Sequence, residues 1–570
     1  MFVSFAGLVS VDICVCVSCS NWHAPASSAF VSLMWCERGS CGIGEVAEAC
    51  DDSQRDEEGE DAAWIYEGGA RRGSQVWVNA RRTSRYKLPK ARVQVKGEQS
   101  GMEFSDTYKH SGHILFSPDA RFLAVAVDYR LVIRDVASLK VVQLYSCLDK
   151  ISYVEWAPDS EYILCGLFKK AMVQAWSVSQ PEWTCKIDDG AAGITHARWS
   201  PDSRHILTTS DFQLRLTVWS LVSTACVHVP WPKHGSRAVA FTKDGMFAAI
   251  ATRRDCRDYI NMLACRGWES MGTFGADTID LADLEWSPTD SNNIAVWDSP
   301  LEYKVLIYSP DGRCLFKYSA YGNGLGLKTV SWSPCGQFLG CGSYDQVVRA
   351  LNLLTFKPVV EFSHPFAVKG PSNAVVFKEI EEPYSVHMQS MLMNGSSGFG
   401  DQPRVGDSPG DNRTRVRYAV AEVPVSVPSQ KPAPDKPNPK QGIGLMAWSA
   451  GSHYVFTRND NMPTALWIWD IARLELAALL IHKDPIRAAA WDPIYPRVAI
   501  CTGTPHLYMW TPSGAACVNI PLNHFVVSDL KWNPDGTSLV LKDREAFCCT
   551  FVPVLSELEV DDVDFNDEAS

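Results

Sequence analysis

A short phrase recurs along this chain at nearly even intervals: an aromatic residue, a small polar residue, Pro, and then Asp or Gly. The clearer copies stand at 116–119 (FSPD), 156–159 (WAPD), 199–202 (WSPD), 286–289 (WSPT), 332–336 (WSPCG), 491–494 (WDPI) and 532–536 (WNPDG). Degenerate copies stand at 241–245 (FTKDG), 377–379 (FKE) and 448–451 (WSAG). The aromatic residues follow one another at steps of 40 to 46 residues, except for one step of 71 residues. A period in this range is typical of a repeat built from four short strands.

Each repeat has the composition of β-strands joined by tight turns. Pro fixes φ at the turn, and Asp can hydrogen-bond its own backbone two residues further on. Apolar runs of strand length follow the turns, such as RFLAVAV at 121–127 and EYILCGLF at 161–168. Later in the repeat, the segment WIWDI at 467–471 keeps a literal Trp-Asp pair. The pattern predicts an all-β WD-repeat β-propeller, in which the first-strand aromatic residues wedge between neighbouring blades.

The number of blades stays open at this point. Ten positions of the phrase predict about ten degenerate four-stranded units. These could close as one enlarged ring of nine or ten blades, although propellers usually have four to eight blades. They could also form a seven-bladed ring with a partial second ring, and the long step would be the natural place for the division.

The repeat phrase also divides the chain into segments. We predict a disordered or spurious N-terminal extension at 1–101, the first part of the propeller with units 1–7 at 102–385, a mostly disordered Gly/Ser/Pro-rich insertion at 386–441 with one strand at 417–427, units 8–10 at 442–556, and an acidic disordered tail at 557–570. Met102 opens a sequence that resembles a natural protein start, directly before the first repeat.

Composition argues against several classes of partner. The formal net charge is −12, and the tail at 557–570 contributes seven acidic residues and no basic ones. The repeat region is therefore nearly neutral and offers no basic field to attract nucleic acid or an anionic membrane. No run of eighteen apolar residues is present, and Asp12 interrupts the apolar N-terminus. Cysteines inside apolar runs, such as Cys165 and Cys341, are predicted to be small buried side chains in a reducing cytosol.

No segment carries a recognisable catalytic, cofactor or metal motif, so we predict a protein that is not an enzyme and binds no cofactor or metal. The segment GNGLGL at 322–327 resembles a dinucleotide-binding loop, but no helix follows it. Two polar clusters in predicted turns are candidate partner-binding loops, because loops on a rigid scaffold commonly carry binding residues. The first comprises Arg253, Arg254, Asp255, Arg257 and Asp258, and the second comprises Arg458, Asn459, Asp460 and Asn461.

Several longer strings are distinctive within WD-repeat proteins, among them DYRLVIRDV (128–136), QPEWTCKIDDG (180–190), AVWDSPLEYKVLIYSPDGR (295–313) and TRNDNMPTALWIWDI (457–471). Together they resemble the family of WD repeat-containing protein eight, encoded antisense to a tumour-protein gene. The resemblance runs from Met102 to about residue 553. It implies a scaffold at centrosomes, centriolar satellites or spindle poles in the cytoplasm.

In that family the scaffold works with a coiled-coil anchoring partner, contacts microtubules indirectly, and supports spindle assembly and cilium formation. The resemblance supplies no catalytic residue. The alternative we keep is a WD-repeat adaptor in another complex, such as translation initiation. Such a role would call for a basic face with interleaved aromatic residues if RNA were bound.

Overall fold

The structure is a computed structural model that describes residues 101–553, except for 224, 290–291, 371–372, 384–413 and 433–438, together with Ser4–Phe5. The predictions for most of the N-terminal extension, for much of the insertion and for the acidic tail therefore lie outside the described residues. Ser4–Phe5 pairs with the outer strand of the second blade, at Cys185 and Lys186.

Four-stranded antiparallel sheets follow one another along the chain, and in each the strands lie in chain order from the first, innermost strand to the outer one. Blade 1 comprises Ile114–Phe116, Phe122–Val127, Arg130–Asp135 and Val141–Ser146. Blade 2 comprises Tyr153–Trp156, Tyr162–Leu167, Met172–Ser177 and Thr184–Asp188. Blade 3 comprises His196–Trp199, His205–Thr209, Arg215–Ser220 and Cys226–Pro230. Blade 4 comprises Val239–Phe241, Phe247–Arg254, Arg257–Ala264 and Glu269–Gly275. Blade 5 comprises Leu281–Trp286, Ile294–Asp298, Val305–Tyr308 and Cys314–Tyr318. Blade 6 comprises Leu327–Trp332, Phe338–Ser343, Val347–Asn352 and Lys357–Ser363.

Blades 7 and 8 comprise Ile443–Trp448, Tyr454–Asn459, Ala465–Asp470 and Glu475–Ile481; and Ala488–Trp491, Val498–Cys501, His506–Thr511 and Gly514–Asn519. Blade 9 takes Asp529–Trp532, Ser538–Lys542 and Ala546–Phe551 from the end of the described chain. Three single-turn 3-10 helices lie at Phe168–Lys170, Gly190–Ala192 and Asp211–Gln213. None of the helices in the described part of the chain is long and apolar enough to span a bilayer.

The outer strand of blade 9 comes from the other end of the repeat region. Glu103–Phe104 and Tyr108–Lys109 both pair antiparallel with Ala546–Phe551. The Ser105 amide also donates to the Cys549 carbonyl at 2.9 Å. The first residues after Met102 therefore complete the last blade.

Apolar packing between blades closes the ring. The buried apolar residues of the described chain form nine clusters, and each cluster spans the junction of two neighbouring blades. The cluster that joins blade 9 to blade 1 brings Val540 and Phe547 together with Leu123 and Val125. Because every blade buries both faces against a neighbour, the propeller is one ring of nine blades.

The predicted all-β propeller is confirmed, and its blades close as one enlarged ring. The prediction of about ten units was wrong in number, and the alternative of a seven-bladed ring with a partial second one was wrong. The phrase at Phe377 is not the start of a blade. Its strand, Val375–Pro383, pairs parallel to Glu475–Ile481 at the outer edge of blade 7, and Thr414–Ala421 pairs with it in turn. The strand predicted at 417–427 is present as Thr414–Ala421 and Val425–Ser426, but it does not complete a separate unit. Thr414–Ala421 and Val375–Pro383 extend the sheet of blade 7 to six strands, whereas Val425–Ser426 pairs with Ala367–Val368 in a separate two-stranded sheet.

The aromatic residues that end the first strands do wedge between blades, as predicted. Trp156, for example, belongs to the core between blades 1 and 2 and is 6% exposed. Its indole N–H donates to the Leu115 carbonyl of blade 1 at 3.2 Å. The predicted burial is also confirmed for Cys165 and Cys341, which are fully buried and form no disulfide.

A buried ion pair holds the junction of blades 8 and 9. The Arg497 guanidinium donates two hydrogen bonds to Asp492 Oδ2, from Nε at 3.0 Å and from Nη2 at 2.6 Å. The two side chains are 5% and 0% exposed. Arg497 also donates to the Gly536 carbonyl at 3.2 Å, and its guanidinium lies 4.9 Å from the centre of the Trp532 ring. The pair therefore fastens the turn of blade 8 to blade 9.

Candidate interaction face

Both predicted loop clusters lie on the same face of the ring. In each blade the second strand ends, and the third begins, on the side where the chain crosses to the next blade. We call this side, which carries the second-to-third-strand turns and the inter-blade connections, the connection face. The Pro-Asp turns of the repeat phrase lie on the opposite face.

The first cluster forms the tip of the long hairpin of blade 4, where Arg254 pairs with Arg257. Asp258 is 1% exposed, and its Oδ2 accepts hydrogen bonds from the Leu281 amide at 2.7 Å and the Thr278 hydroxyl at 3.0 Å. Arg253 bonds to Asp280 at 2.6 Å. Asp258 and Arg253 therefore hold the hairpin against the connection to blade 5.

Cations around this connection shift the titration of one carboxyl group. Lys233 and Arg253 both donate to Asp280 Oδ1, at 2.5 and 2.6 Å. Mainly through the Lys233 hydrogen bond, they hold the pKa of Asp280 below its usual value. The Asp280 carboxylate therefore stays ionised at neutral pH and holds the connection to Lys233 and Arg253.

The remaining members of the first cluster are available to a partner. Arg254, Asp255 and Arg257 are all exposed at the hairpin tip. The side chain of Arg254 is 63% exposed and stacks over the Tyr259 ring at 5.5 Å. The structure thus brings the cluster together as predicted, but divides it into an anchoring half and an exposed half.

The second cluster is used within the ring itself. Asn459 is fully buried and donates to the Gln346 side chain of blade 6 at 3.0 Å. Asp460 bonds to Lys328 of blade 6 at 2.6 Å.

The other two members of this cluster also bond internally. Arg458 donates to the Ile486 carbonyl between blades 7 and 8 at 2.8 Å. Asn461 is 6% exposed and accepts the Gly442 amide at 3.1 Å. These side chains join blades 6, 7 and 8, which leaves little of them for a partner; whether they bind one stays a prediction.

A set of exposed apolar side chains lies on the connection face of blades 3 to 5. It comprises Phe212, Leu214, Trp231, Ile279 and Leu301, whose exposed fractions are 93%, 56%, 51%, 64% and 76%. We call these residues the apolar arc. Exposed aromatic and aliphatic side chains grouped in this way are a common mark of a protein interaction site.

Backbone hydrogen bonds show that the apolar arc is continuous with the arginine hairpin. The Trp231 amide donates to the Leu214 carbonyl at 3.0 Å, and the Arg253 amide donates to the Trp231 carbonyl at 3.0 Å. The Ser299 amide then donates to the Asp280 carbonyl at 2.8 Å, directly before the turn that carries Leu301. Arginine side chains therefore stand between the apolar side chains of blade 3 and those of blade 5.

The backbone of the arc is strained where its aromatic side chains are presented. Phe212 and Gln213 both have φ of 55°, and Trp231 has φ of 51°. Left-handed backbone at non-glycine residues costs on the order of 1 kcal/mol or more, and it is frequent at binding sites. At these positions the side chains of Phe212 and Trp231 are 93% and 51% exposed.

Sequence reasoning missed the apolar arc because it searched the turns for polar residues only. Phe212 lies in the turn segment SDFQ, and Trp231 lies between Pro230 and Pro232. Aromatic residues within a turn, or flanked by prolines at a strand end, are the signal that could have found these two side chains, although such a position does not by itself decide exposure, since Trp268 lies in a turn and is buried.

First-strand side chains around the central channel carry a second group of charges. Burial raises the pKa of Glu155 to about 7, although Arg198 opposes the shift. Burial lowers the pKa of His196 to about 4, and Arg198 adds to that effect. Within the described residues no group of three or more His, Cys, Asp or Glu side chains is placed to hold a metal ion.

The nine-bladed ring, its four-stranded blades and its turn phrases define a WD-repeat β-propeller. The family model for the WD domain, G-beta repeat, matches residues 182–217 and 308–350. The first match begins before the outer strand of blade 2 and ends in the third strand of blade 3. Each sequence repeat therefore begins with the outer strand of one blade and continues into the inner three strands of the next blade. The same offset explains why Glu103–Phe104, from the start of the repeat region, is the outer strand of blade 9.

The chain belongs to the family of the WD repeat-containing protein WRAP73: it is 45% identical over 453 residues to the Mus musculus protein, across 79% of this chain and 96% of that protein. An uncharacterized WD repeat-containing protein of Schizosaccharomyces pombe, C32H8.09, is 22% identical over 348 residues, covering 57% of this chain and 64% of that protein. Among solved structures, the C-terminal WD40 domain of Sif2 is similar over 80% of this chain and 99% of that chain, with a TM-score of 0.43 and 11% identity. The family model and the WRAP73 relative therefore confirm the prediction that the chain belongs to a WD-repeat family.

Proposed function

We propose that this protein is a non-catalytic WD-repeat scaffold of the centrosome or spindle pole. It anchors microtubule minus ends together with a coiled-coil partner and thereby supports spindle assembly and cilium formation. Membership in the WRAP73 family supports the scaffold class. The distinctive sequence strings from Met102 onward support the site of action.

The apolar arc is the observation that carries the scaffold proposal. Interface energy is usually concentrated in a few aromatic and arginine side chains. Phe212 and Trp231 are exposed where the backbone is strained, and the exposed Arg254 and Arg257 lie on the same face between blade 3 and blade 5. A rigid ring presents this set without the entropy cost of ordering a loop.

The arc suits a helical partner with an apolar stripe. A helix of a coiled coil presents apolar side chains along one seam and charged side chains beside it. Apolar contacts would form at Phe212, Trp231 and Leu301, and acidic side chains beside the seam would meet Arg254 and Arg257. This pairing is the physical basis for a coiled-coil partner on the connection face.

Proximity labelling in cells tests the proposal with the full chain fused to a labelling enzyme. We expect the wild-type chain to label centrosomal or spindle-pole proteins, including a coiled-coil protein. The variant F212A/W231A should lose most of that labelling. The matched control V222A/L354A removes two apolar side chains, 78% and 75% exposed, from the opposite face and should keep it.

Two outcomes would count against the proposal in different ways. Recovery of ribosomal subunits without centrosomal proteins would instead favour the translation-initiation adaptor. Labelling by F212A/W231A equal to that of the wild type would remove the apolar arc from the mechanism and leave the cellular site intact.

A further inference from the structure

Indole hydrogen bonds fasten most blades to the blade before them. Where the first strand ends in Trp, the indole N–H usually donates to the carbonyl that directly precedes the matching aromatic residue of the previous blade. These bonds are Trp156 to Leu115 at 3.2 Å, Trp199 to Glu155 at 3.2 Å, Trp448 to Ser331 at 3.1 Å, Trp491 to Ala447 at 2.9 Å and Trp532 to Ala490 at 3.0 Å.

Trp286 and Trp332 depart from this pattern. They are 6% and 8% exposed, so they are as buried as the others, yet neither indole N–H has an acceptor in the described part of the chain. By the pattern, their acceptors would be the carbonyls of Ala240 and Glu285. A buried donor without an acceptor is costly, and it commonly marks the place of a molecule that supplies one.

The two missing bonds meet in one cavity. A cavity of about 420 Å³ lies at the inner ends of blades 3 to 6, and its lining includes Trp286 and Ala240 as well as Trp332 and Glu285. Both donors and both expected acceptors therefore border the same space. Its volume is in the range of ordinary small-ligand and peptide sites.

Charged side chains of both signs complete the lining. Arg198 and Arg237 border the cavity together with Asp283 and Glu285. Asp283 is occupied, since its Oδ1 accepts the Ala238 amide at 2.7 Å. Arg237 and Glu285 are both exposed. The two signs balance, which disfavours a ligand with a large net charge.

A peptide backbone matches this set of groups. Its carbonyls can accept hydrogen bonds from both indole N–H groups, and it carries no net charge. A metal ion cannot accept a hydrogen bond from an indole N–H, and a phosphate would bring the net charge that this lining disfavours. The aromatic walls formed by Phe241, Trp286 and Trp332 add apolar contact for side chains.

We propose that this cavity binds a short extended peptide segment, whose main-chain carbonyls accept the hydrogen bonds of the Trp286 and Trp332 indole N–H groups. The site is separate from the apolar arc and does not rest on the proposed cellular function. A peptide bound here would bridge blades 4, 5 and 6 at the inner edge of the ring.

Panning a random heptapeptide phage library against the intact chain tests the proposal. Enriched peptides are synthesised with a fluorophore, and their affinity is measured by fluorescence polarisation. We expect W286F and W332F each to weaken binding about fivefold to tenfold, the effect of one lost hydrogen bond. R237A provides a second variant that alters only an exposed side chain and should also weaken binding.

The variants W156F and W448F are matched controls, because they make the same change where the indole bond is present. They should lower the urea midpoint of unfolding and leave peptide affinity unchanged, whereas W286F and W332F should leave the midpoint unchanged or raise it. The proposal is overturned if panning enriches no peptide, or if the enriched peptides bind W286F, W332F and R237A as tightly as the wild type.

Discussion

Replacing Arg497 with Met should strongly destabilise the ring at the junction of blades 8 and 9. The substitution keeps much of the side-chain volume but leaves the Asp492 carboxylate, which is 0% exposed, without its cation. Breaking a buried pair by removing one partner typically costs about 3–5 kcal/mol. Because the wild-type bonds to Asp492 are 3.0 and 2.6 Å long and solvent is excluded, we expect a loss within that range.

Urea unfolding followed by tryptophan fluorescence measures the effect. The matched control is R313M, which removes an equally direct pair with Asp311, at 2.9 Å, whose side chains are 74% and 56% exposed. It should move the midpoint little, because exposed pairs are well screened by water. The loss in R497M should persist at about 1 M salt, since buried pairs are poorly screened by ions.

The double variant D492N/R497M completes the test. With no buried charge left unpaired, it should recover a large part of the stability lost in R497M. The reasoning is refuted if R497M unfolds at the same urea concentration as R313M. It is also refuted if the double variant is less stable than R497M, because the cost would then arise from packing rather than from the unpaired charge.

Three further predictions concern other parts of the ring. T457V removes the hydroxyl that accepts the Trp469 indole N–H at 2.8 Å, and should lower the free energy of unfolding by about 1–3 kcal/mol in urea titrations. A chain that begins at Gly112 lacks the outer strand of blade 9 and should melt at a lower temperature than one that begins at Met102; equal melting temperatures would contradict the described closure. The pKa of Glu155 is raised to about 7 from 4.5, so the folded ring binds a proton that the unfolded chain releases, and the contribution of this carboxyl group to stability should fall as pH rises from about 4.5 to about 7. The urea midpoint of the wild type relative to that of E155Q should therefore fall across this range, and a constant difference between the two midpoints would contradict it.

Much of the blade architecture could be predicted because it is encoded locally. Aromatic residues such as Trp156 and Trp491 mark the ends of first strands, and the Pro-Asp turns follow at once. The segment at Phe377 was misassigned because its strand is real but its place is set by a distant partner. Only the parallel pairing with Glu475–Ile481 shows that it extends blade 7, and no local pattern encodes that contact.

The candidate site was predictable only in part for a similar reason. The sequence shows which residues fall in turns, but burial of a turn depends on the neighbouring blade. Asn459 and Arg254 occupy equivalent turns, yet the first is fully buried against blade 6 and the second is exposed. The apolar side chains beside Arg254, above all Phe212, escaped notice because turns were searched for charge.

The closure of blade 9 by Glu103–Phe104 has a consequence for how the protein is made. Synthesis proceeds at about 5–20 residues per second, so the residues between Phe104 and Phe551 take on the order of 20–90 seconds to emerge. During that time Glu103–Phe104 has no partner strand, and the facing surfaces of blades 1 and 9 are not yet joined. The nascent chain must therefore carry an open apolar edge on the ribosome, and it should depend on chaperones until its last blade has been translated.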